Sequence, residues 1–321
     1  MNRKVFGSTF VCLILVSFLF WISLAWAEYP EHTIRMIVGW TPGGTSDLGT
    51  RSLCEAAGKI LKQPIIVENM IGASGTKALA FVSNAPPDGY TLGQLNTTGI
   101  TEKPHVMSIS YDPFKGFTHI MLFGWHTYAV CVRKDAPWKT FNELIEYAKA
   151  NPGKIKYGHG GFKGTTHMVG ERLQAIVPGL KMVPVPFQGH TPVVTALLGG
   201  HLDVGFHTGE CKPFVEAGEL RMLAALSNKR WRSFPDIPTI QELGYPVAAE
   251  AGLSILAPAG LPAPIRTKLQ ESFREAMKDK GFNDTMEKME LVVDYMPGAE
   301  LEAHLRKSFE EIGRAVKELP K

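Results

Sequence analysis

The feature that most constrains this chain is the regular alternation of short β-rich runs with helical runs, punctuated by glycine-rich turns. Thr33-Ile34-Arg35-Met36-Ile37-Val38-Gly39 reads as a strand. The turn Thr41-Pro42-Gly43-Gly44 follows, and Thr45, Ser46 or Asp47 can cap a helix running to about Leu61. Ile65-Ile66-Val67 is the next strand. Gly72-Ala73-Ser74-Gly75 opens a second helix, which Pro86-Pro87-Asp88-Gly89 closes, and Tyr90 to Leu95 is a third strand. Three βα repeats in a row argue for a parallel sheet with helices on its faces.

The pattern restarts after Tyr111-Asp112-Pro113. Strands are expected at Tyr128 to Arg133, Ile155 to Gly158, Met182 to Val185, Val204 to Phe206 and Leu220 to Leu226. Helices are expected at Thr140 to Ala150, Thr165 to Ile176 and His190 to Leu198. Ser254 to Ala257 is an apolar run flanked by Gly and Pro. From Pro264 onward the chain is mostly helical and charged, ending in a helix from about Glu300 to Val316. Two α/β halves joined by extended crossings place a cleft between them, and ligands of open α/β sheets sit beyond the carboxyl ends of the strands. The loops to inspect are therefore residues 39–47, 95–101, 158–167, 187–191 and 206–211.

Two of these loops suit an anion. Residues 39–47, Gly-Trp-Thr-Pro-Gly-Gly-Thr-Ser-Asp, follow a strand and open a helix. Glycines admit a ligand close to the backbone, and the helix N-terminus offers free N–H groups and a positive dipole end. Residues 158–167, Gly-His-Gly-Gly-Phe-Lys-Gly-Thr-Thr-His, repeat the arrangement in the second half. A plain capped βα turn is the competing reading of either loop alone. The second loop misses both nucleotide signatures: Lys163 stands where G-x-G-x-x-G needs its third Gly, and Lys precedes Gly where a P-loop has the reverse.

Other chemistries lack support. His201, Asp203, His207, Glu210 and Cys211 tempt a metal reading, but the first two precede a strand and the others follow it, whereas zinc wants convergent ligands. No G-x-S-x-G elbow, H-E-x-x-H helix or C-x-x-C is present. No enzyme activity, metal or cofactor is expected. The N-terminus reads as an export signal: Arg3 and Lys4, an uncharged apolar stretch from Val5 to Trp26, then the small-x-small site Ala25-Trp26-Ala27. Cleavage after Ala27 would leave a periplasmic chain of formal charge +1, compared with +3 for the full sequence. A near-neutral chain without a basic run carries no footprint for nucleic acid. Cys54, Cys131 and Cys211 would then remain, an odd and widely spaced set that reads as small hydrophobes rather than a disulfide framework.

Taken together, these segments resemble the extracytoplasmic receptors of tripartite tricarboxylate transporters, also called Bug-type receptors. The resemblance spans the whole mature chain. It rests on Tyr29-Pro30, Ile34 to Val38, Pro42-Gly43-Gly44 and Asp47; on Val67-Glu68-Asn69 with Gly72-Ala73 and Gly75; and on Pro87 to Leu92 and Tyr111 to Phe117. It continues through Tyr157, Gly161, His167 and Glu171, then Pro186 to Gly189, Pro192, Leu197 to Asp203, Phe234 to Thr239 and Ala257 to Gly260. The chain departs from the family pattern at Lys163-Gly164 (usually Gly-Ser), Ala196 (often Asp), Met70-Ile71 (Arg-Pro) and Gly252 (Trp).

The resemblance implies a type II periplasmic-binding-protein-like α/β fold with a ligand cleft between two hinged lobes. Lobe 1 is expected to comprise residues 28–128 plus 250–321, and lobe 2 residues 129–249. The implied ligand is a small mono-, di- or tricarboxylate, and the implied partners are the membrane subunits of the transporter, one large and one small; a monomer is expected. Candidate ligand contacts in lobe 1 are Trp40, Thr41, Gly43, Gly44 and Asp47, with Asn96 and Thr97 after the third strand. In lobe 2 they are Gly161, Lys163, Gly164, Thr165 and His167, then Phe187, Gln188, His207 and Thr208. Lys163 reads either as a solvated lysine at a loop tip or as a cation whose ammonium enters the cleft and pairs with a ligand carboxylate. A sensory receptor feeding a membrane kinase, or an exported hydrolase on the same fold, are the alternatives.

Overall fold

The computed structural model describes residues 29–317; the export signal and its cleavage site lie outside the described residues. The strands are β1 (Ile34–Val38), β2 (Ile65–Asn69), β3 (Thr91–Asn96), β4 (Phe117–Trp125), β5 (Ala129–Arg133), β6 (Ile155–His159), β7 (Met182–Pro186), β8 (Val204–His207), β9 (Leu220–Ala225), β10 (Gly252–Pro258) and β11 (Val292–Pro297). The helices are α1 (Thr45–Leu61), α2 (Thr76–Ser83), α3 (Thr98–Thr101), α4 (Lys103–Val106), α5 (Phe141–Ala150), α6 (Thr165–Ile176), α7 (Thr191–Leu198), α8 (Lys212–Glu216), α9 (Ala263–Ala276), α10 (Lys280–Lys288) and α11 (Gly298–Lys317).

Two sheets result. The first has the order β11-β4-β10-β3-β1-β2 and the second β7-β6-β8-β5-β9. The βα repeats do build parallel pairs, β1 with β2 and β3, and β6 with β7 and β8. The sheets are nonetheless mixed, because β10 runs antiparallel to β3 and β4, β11 to β4, and β5 to β8 and β9. Strands of one sheet come from residues 34–125 and 252–297, and those of the other from 129–225.

Each lobe is a sheet with apolar side chains packed on both faces. In the first, α1 lays Leu53, Ala57 and Leu61 against Leu269 and Phe273 of α9 and Phe282 and Met286 of α10. The opposite face gathers Leu79, Val82, Ile100 and Leu122 with Leu301 and Leu305 of α11. The C-terminal helices thus complete lobe 1. In lobe 2, Phe141, Leu144, Leu173 and Phe206 form one layer, and Val193, Leu197, Cys211 and Trp231 the other. Burial on this scale contributes about 1.5–3 kcal/mol per large side chain.

The chain crosses between lobes twice, and the crossings are stitched side by side. His126 N–H donates to the Ala251 carbonyl at 3.0 Å, Leu226 N–H to Tyr128 at 2.8 Å and Ala249 N–H to Leu226 at 2.7 Å. Paired extended crossings of this kind let two lobes rotate while their separation stays fixed.

Candidate functional site

The two glycine-rich loops have the same construction. Gly44 and Gly164 precede α1 and α6 with matching backbone angles, φ −77° and ψ 168° at the first, φ −80° and ψ 167° at the second. Each folds back on its own loop: Gly44 N–H donates to the Thr41 carbonyl at 3.3 Å, and Gly164 N–H to Gly161 at 2.9 Å. The carbonyls of Gly44 and Gly164 then accept from Leu48 and Met168, each at 2.9 Å. The N–H groups between, at Thr45 to Asp47 and Thr165 to His167, precede the first intrahelical donors and point out of the helix ends. These ends face each other across the cleft.

The cleft cavity has two compartments that share Trp40 and Gly160. The inner one holds about 30 Å³ and is lined from lobe 1 by Thr41, Gly44, Thr45, Ser46 and Asn96, with His126 and Tyr128 at the crossing. Lobe 2 contributes Gly164, Thr165, Thr166, Gly189, His190, Thr208 and Glu210. The outer one holds about 270 Å³ and is lined by the Ile71–Gly75 turn, Met107, Gly161, Phe162 and Pro186 to Gln188. The lobes are closed on each other. Ser74 Oγ donates to the Phe162 carbonyl at 2.7 Å, and Lys103 Nζ donates to the Lys163 carbonyl.

His126 organises the lobe 1 wall. Its Nδ1 lies 3.3 Å from Thr45 Oγ1, and its Nε2 lies 3.1 Å from Ser46 Oγ and 3.2 Å from Asn96 Oδ1. Burial pushes this imidazole down to about 3, so the neutral ring serves as donor on one nitrogen and acceptor on the other. Burial likewise holds His190 below its ordinary value, with the Glu210 carboxylate pulling weakly the other way.

The donor end of α1 is already engaged. Glu210 of lobe 2 reaches across so that its Oε1 accepts from Thr45 N–H at 2.9 Å and from Thr45 Oγ1 at 3.3 Å. Its Oε2 accepts from the Thr208 hydroxyl. Glu210 leaves its turn beside two buried thiols, Cys131 and Cys211, whose Sγ atoms lie 3.6 Å apart.

Of the residues expected from sequence, Trp40, Thr41, Gly44, Asn96, Gly164, Thr165 and Thr208 line the inner compartment, and Gly161, Phe187 and Gln188 the outer. Six others line neither. Asp47 is a brace behind the first loop: it accepts from Gly43 N–H at 2.9 Å, from Asn69 Nδ2 at 2.8 Å and from Arg51. Burial alone would raise its carboxyl, but those bonds together hold it below the ordinary range. Gly43 serves the same brace. Thr97 spends its hydroxyl on Gly252 N–H, 2.9 Å away, and faces a different chamber with Arg172 and α11. His167 stacks on His159 and accepts from Lys163 N–H at 2.9 Å, shaping its loop from behind. His207 is fully buried with its ring over Gly205, where a side chain would overlap it.

Of the two readings of Lys163, the structure has the one with the side chain outside the cleft. Its ammonium lies 5.6 Å from the Phe162 ring centroid, outside both compartments. Its backbone adopts φ 54°, in the left-handed region that residues other than glycine rarely take. The groups that sequence reasoning missed are Ser46, His126, Tyr128, Thr166, His190 and Glu210. Ser46, Thr166, His190 and Glu210 lie within the inspected loops, where Ser46 reads as a helix cap and Glu210 as a metal ligand, whereas His126 and Tyr128 lie outside them. No group of three or more His, Cys, Asp or Glu side chains placed to hold a metal occurs among the described residues.

With this geometry in place, comparison with known proteins is decisive. Residues 50–320 match the tripartite tricarboxylate transporter family receptor, TctC. The chain belongs to the TctC receptor family. It is 36% identical to the UPF0065 protein from the gbd 5′ region of Cupriavidus necator, over 84% of this chain and 82% of that one. The periplasmic binding protein BugD has the same architecture, at TM-score 0.85 and 28% identity, covering 91% of this chain and 98% of BugD. MatC from Rhodopseudomonas palustris, solved with bound malate, superimposes at TM-score 0.82 and 26% identity, covering 90% of this chain and 100% of MatC. This TctC receptor is therefore of the Bug type, with the α/β architecture of periplasmic binding proteins.

Proposed function

We propose that this TctC receptor captures a small carboxylate outside the cytoplasmic membrane and delivers it, chemically unchanged, to the membrane subunits of a tripartite tricarboxylate-type transporter. The observation that carries this reading is the pair of helix N-termini at Thr45 and Thr165, brought together at a closable cleft between two hinged lobes. Helix ends of this kind favour carboxylates through directed N–H groups and the helix dipole. The malate held by MatC is the same class of ligand on the same fold. In this reading the protein is exported, loses residues 1–27 and acts as a monomer.

A thermal-shift screen of mono-, di- and tricarboxylates tests the ligand class, because a ligand that binds the folded state alone raises the melting temperature by mass action. Stabilisation by one or more carboxylates is expected. If neutral sugars or simple cations stabilise the protein and no carboxylate does, the reading is wrong. Intact-mass analysis of the exported protein should show loss of residues 1–27.

A further inference from the structure

The site described above has one unusual occupant, and it comes from the chain itself. The α1 N-terminus is where a ligand carboxylate would be expected to settle, yet the Glu210 carboxylate accepts from the backbone N–H and hydroxyl of Thr45. No lysine or arginine lines either compartment, and the outer one has no charged side chain at all. Of the two histidines on the wall, His126 is buried and His190 half-buried. Glu210 is thus the one acidic or basic side chain other than these histidines that lines either compartment, and it is a carboxylic acid.

We propose that Glu210 determines specificity, making the cleft select an amino-carboxylate: the ligand's carboxylate sits at the α6 N-terminus near Thr165 and Thr166, and its ammonium pairs with Glu210. This deepens the carboxylate reading and rests on it. The α6 end is the helix terminus that no protein carboxylate fills. The Thr45 N–H, the Thr45 hydroxyl and the Thr208 hydroxyl occupy three of the roughly four acceptor positions of the Glu210 carboxylate. The group is only partly buried and lines the cavity, so its remaining lone pair is open to a ligand donor. Thr208 holds it from its own lobe and Thr45 from the other once the lobes close, which fixes the carboxylate's orientation against a bound ligand. A dianionic ligand meets the opposite situation. Its second carboxylate must either displace Glu210 from Thr45 or lie beside it, where like charges repel.

The test uses the full-length mature protein and three matched ligand pairs titrated calorimetrically: propionate and alanine, succinate and aspartate, glutarate and glutamate. Members of a pair differ only in one hydrogen replaced by an ammonium. For whichever chain length binds, the wild type should prefer the amino member by about ten- to a hundredfold, the range of one charge-assisted hydrogen bond. In Glu210→Gln, which preserves shape and acceptor capacity on one oxygen, that ratio should fall to about one or invert. The plain carboxylate should gain as the amino-carboxylate loses. If the variant does not fold, the ligand series on the wild type still decides. Equal affinities within a pair on the wild type, or a preference that survives Glu210→Gln, overturns the role of Glu210 while leaving the receptor reading intact. Failure of every carboxylate to bind overturns both.

Discussion

Lys103 offers the sharpest probe of how the lobes close. It lies on α4 in lobe 1, is 1% exposed, and sends its ammonium to the Lys163 carbonyl in lobe 2. Burial lowers the pKa of this amine, and neighbouring Glu102 pulls it back up. Glu102 is itself buried, with Oε1 lacking any hydrogen-bond partner, and burial raises its carboxyl while Lys103 acts to lower it. Replacing Lys103 by Met keeps the apolar stem and deletes the cross-cleft bond. A hydrogen bond to a charged group contributes about 1.5–3 kcal/mol. The opened lobes would expose the Lys163 carbonyl to water, so the loss falls mainly on the closed state. The closed-to-open ratio should drop by about ten- to a hundredfold, and apparent ligand affinity by up to that factor, because affinity scales with the population able to close. Small-angle scattering of the ligand-free protein should show a larger radius of gyration for Lys103→Met, and calorimetry a weaker ligand. An unchanged radius together with a dissociation constant within twofold of the wild type would refute this assignment. The bond would then be a consequence of closure and not a cause.

Two further outcomes are expected. Burial pushes His126 and His207 down to about 3 and His119 down to about 4, well below the ordinary 6.5. The unfolded chain therefore binds more protons than the folded one at acidic pH. Stability should be complete above about pH 6.5 and fall as pH drops toward 4, by up to about 1.4 kcal/mol per pH unit for each such histidine. A melting temperature that stays flat from pH 7 to pH 5 would contradict the buried neutral rings. Lys163→Ala should leave the affinities of mono- and dicarboxylates within about twofold of the wild type, since its ammonium lies over Phe162 and not in the cleft. A selective loss of dicarboxylate binding would show that the side chain swings inward when ligand binds.

The division between what was legible in the sequence and what was not follows the range of the forces involved. Strand period, glycine turns and helix starts are local, so β1 to β3 and the openings of α1 and α6 could be read directly, and with them the two helix ends that frame the cleft. Strands whose signal is not local were harder. β4 is a nine-residue run almost wholly buried, with no alternation to mark it, and β11 carries Asp294 and Pro297 on an exposed edge.

Side-chain direction was decided by tertiary structure alone. All four residues of β8 are buried, so nothing in the run Val204-Gly205-Phe206-His207 says that the histidine turns over Gly205 instead of toward the cleft. Asp47 looks like a ligand contact in sequence because it opens a helix after glycines. Arg51 and Asn69 capture it from the other side. His126 enters the site only because the first crossing brings it over Ser46 and Asn96. The charge of the pocket was hidden for the same reason. Glu210 meets Thr45 across 165 residues of chain, through a turn of one lobe closing on a helix end of the other, and no local pattern encodes that distance. The sequence alone determined where an anion could be received; the packing of the two lobes decided that the chain's own carboxylate occupies one of those places.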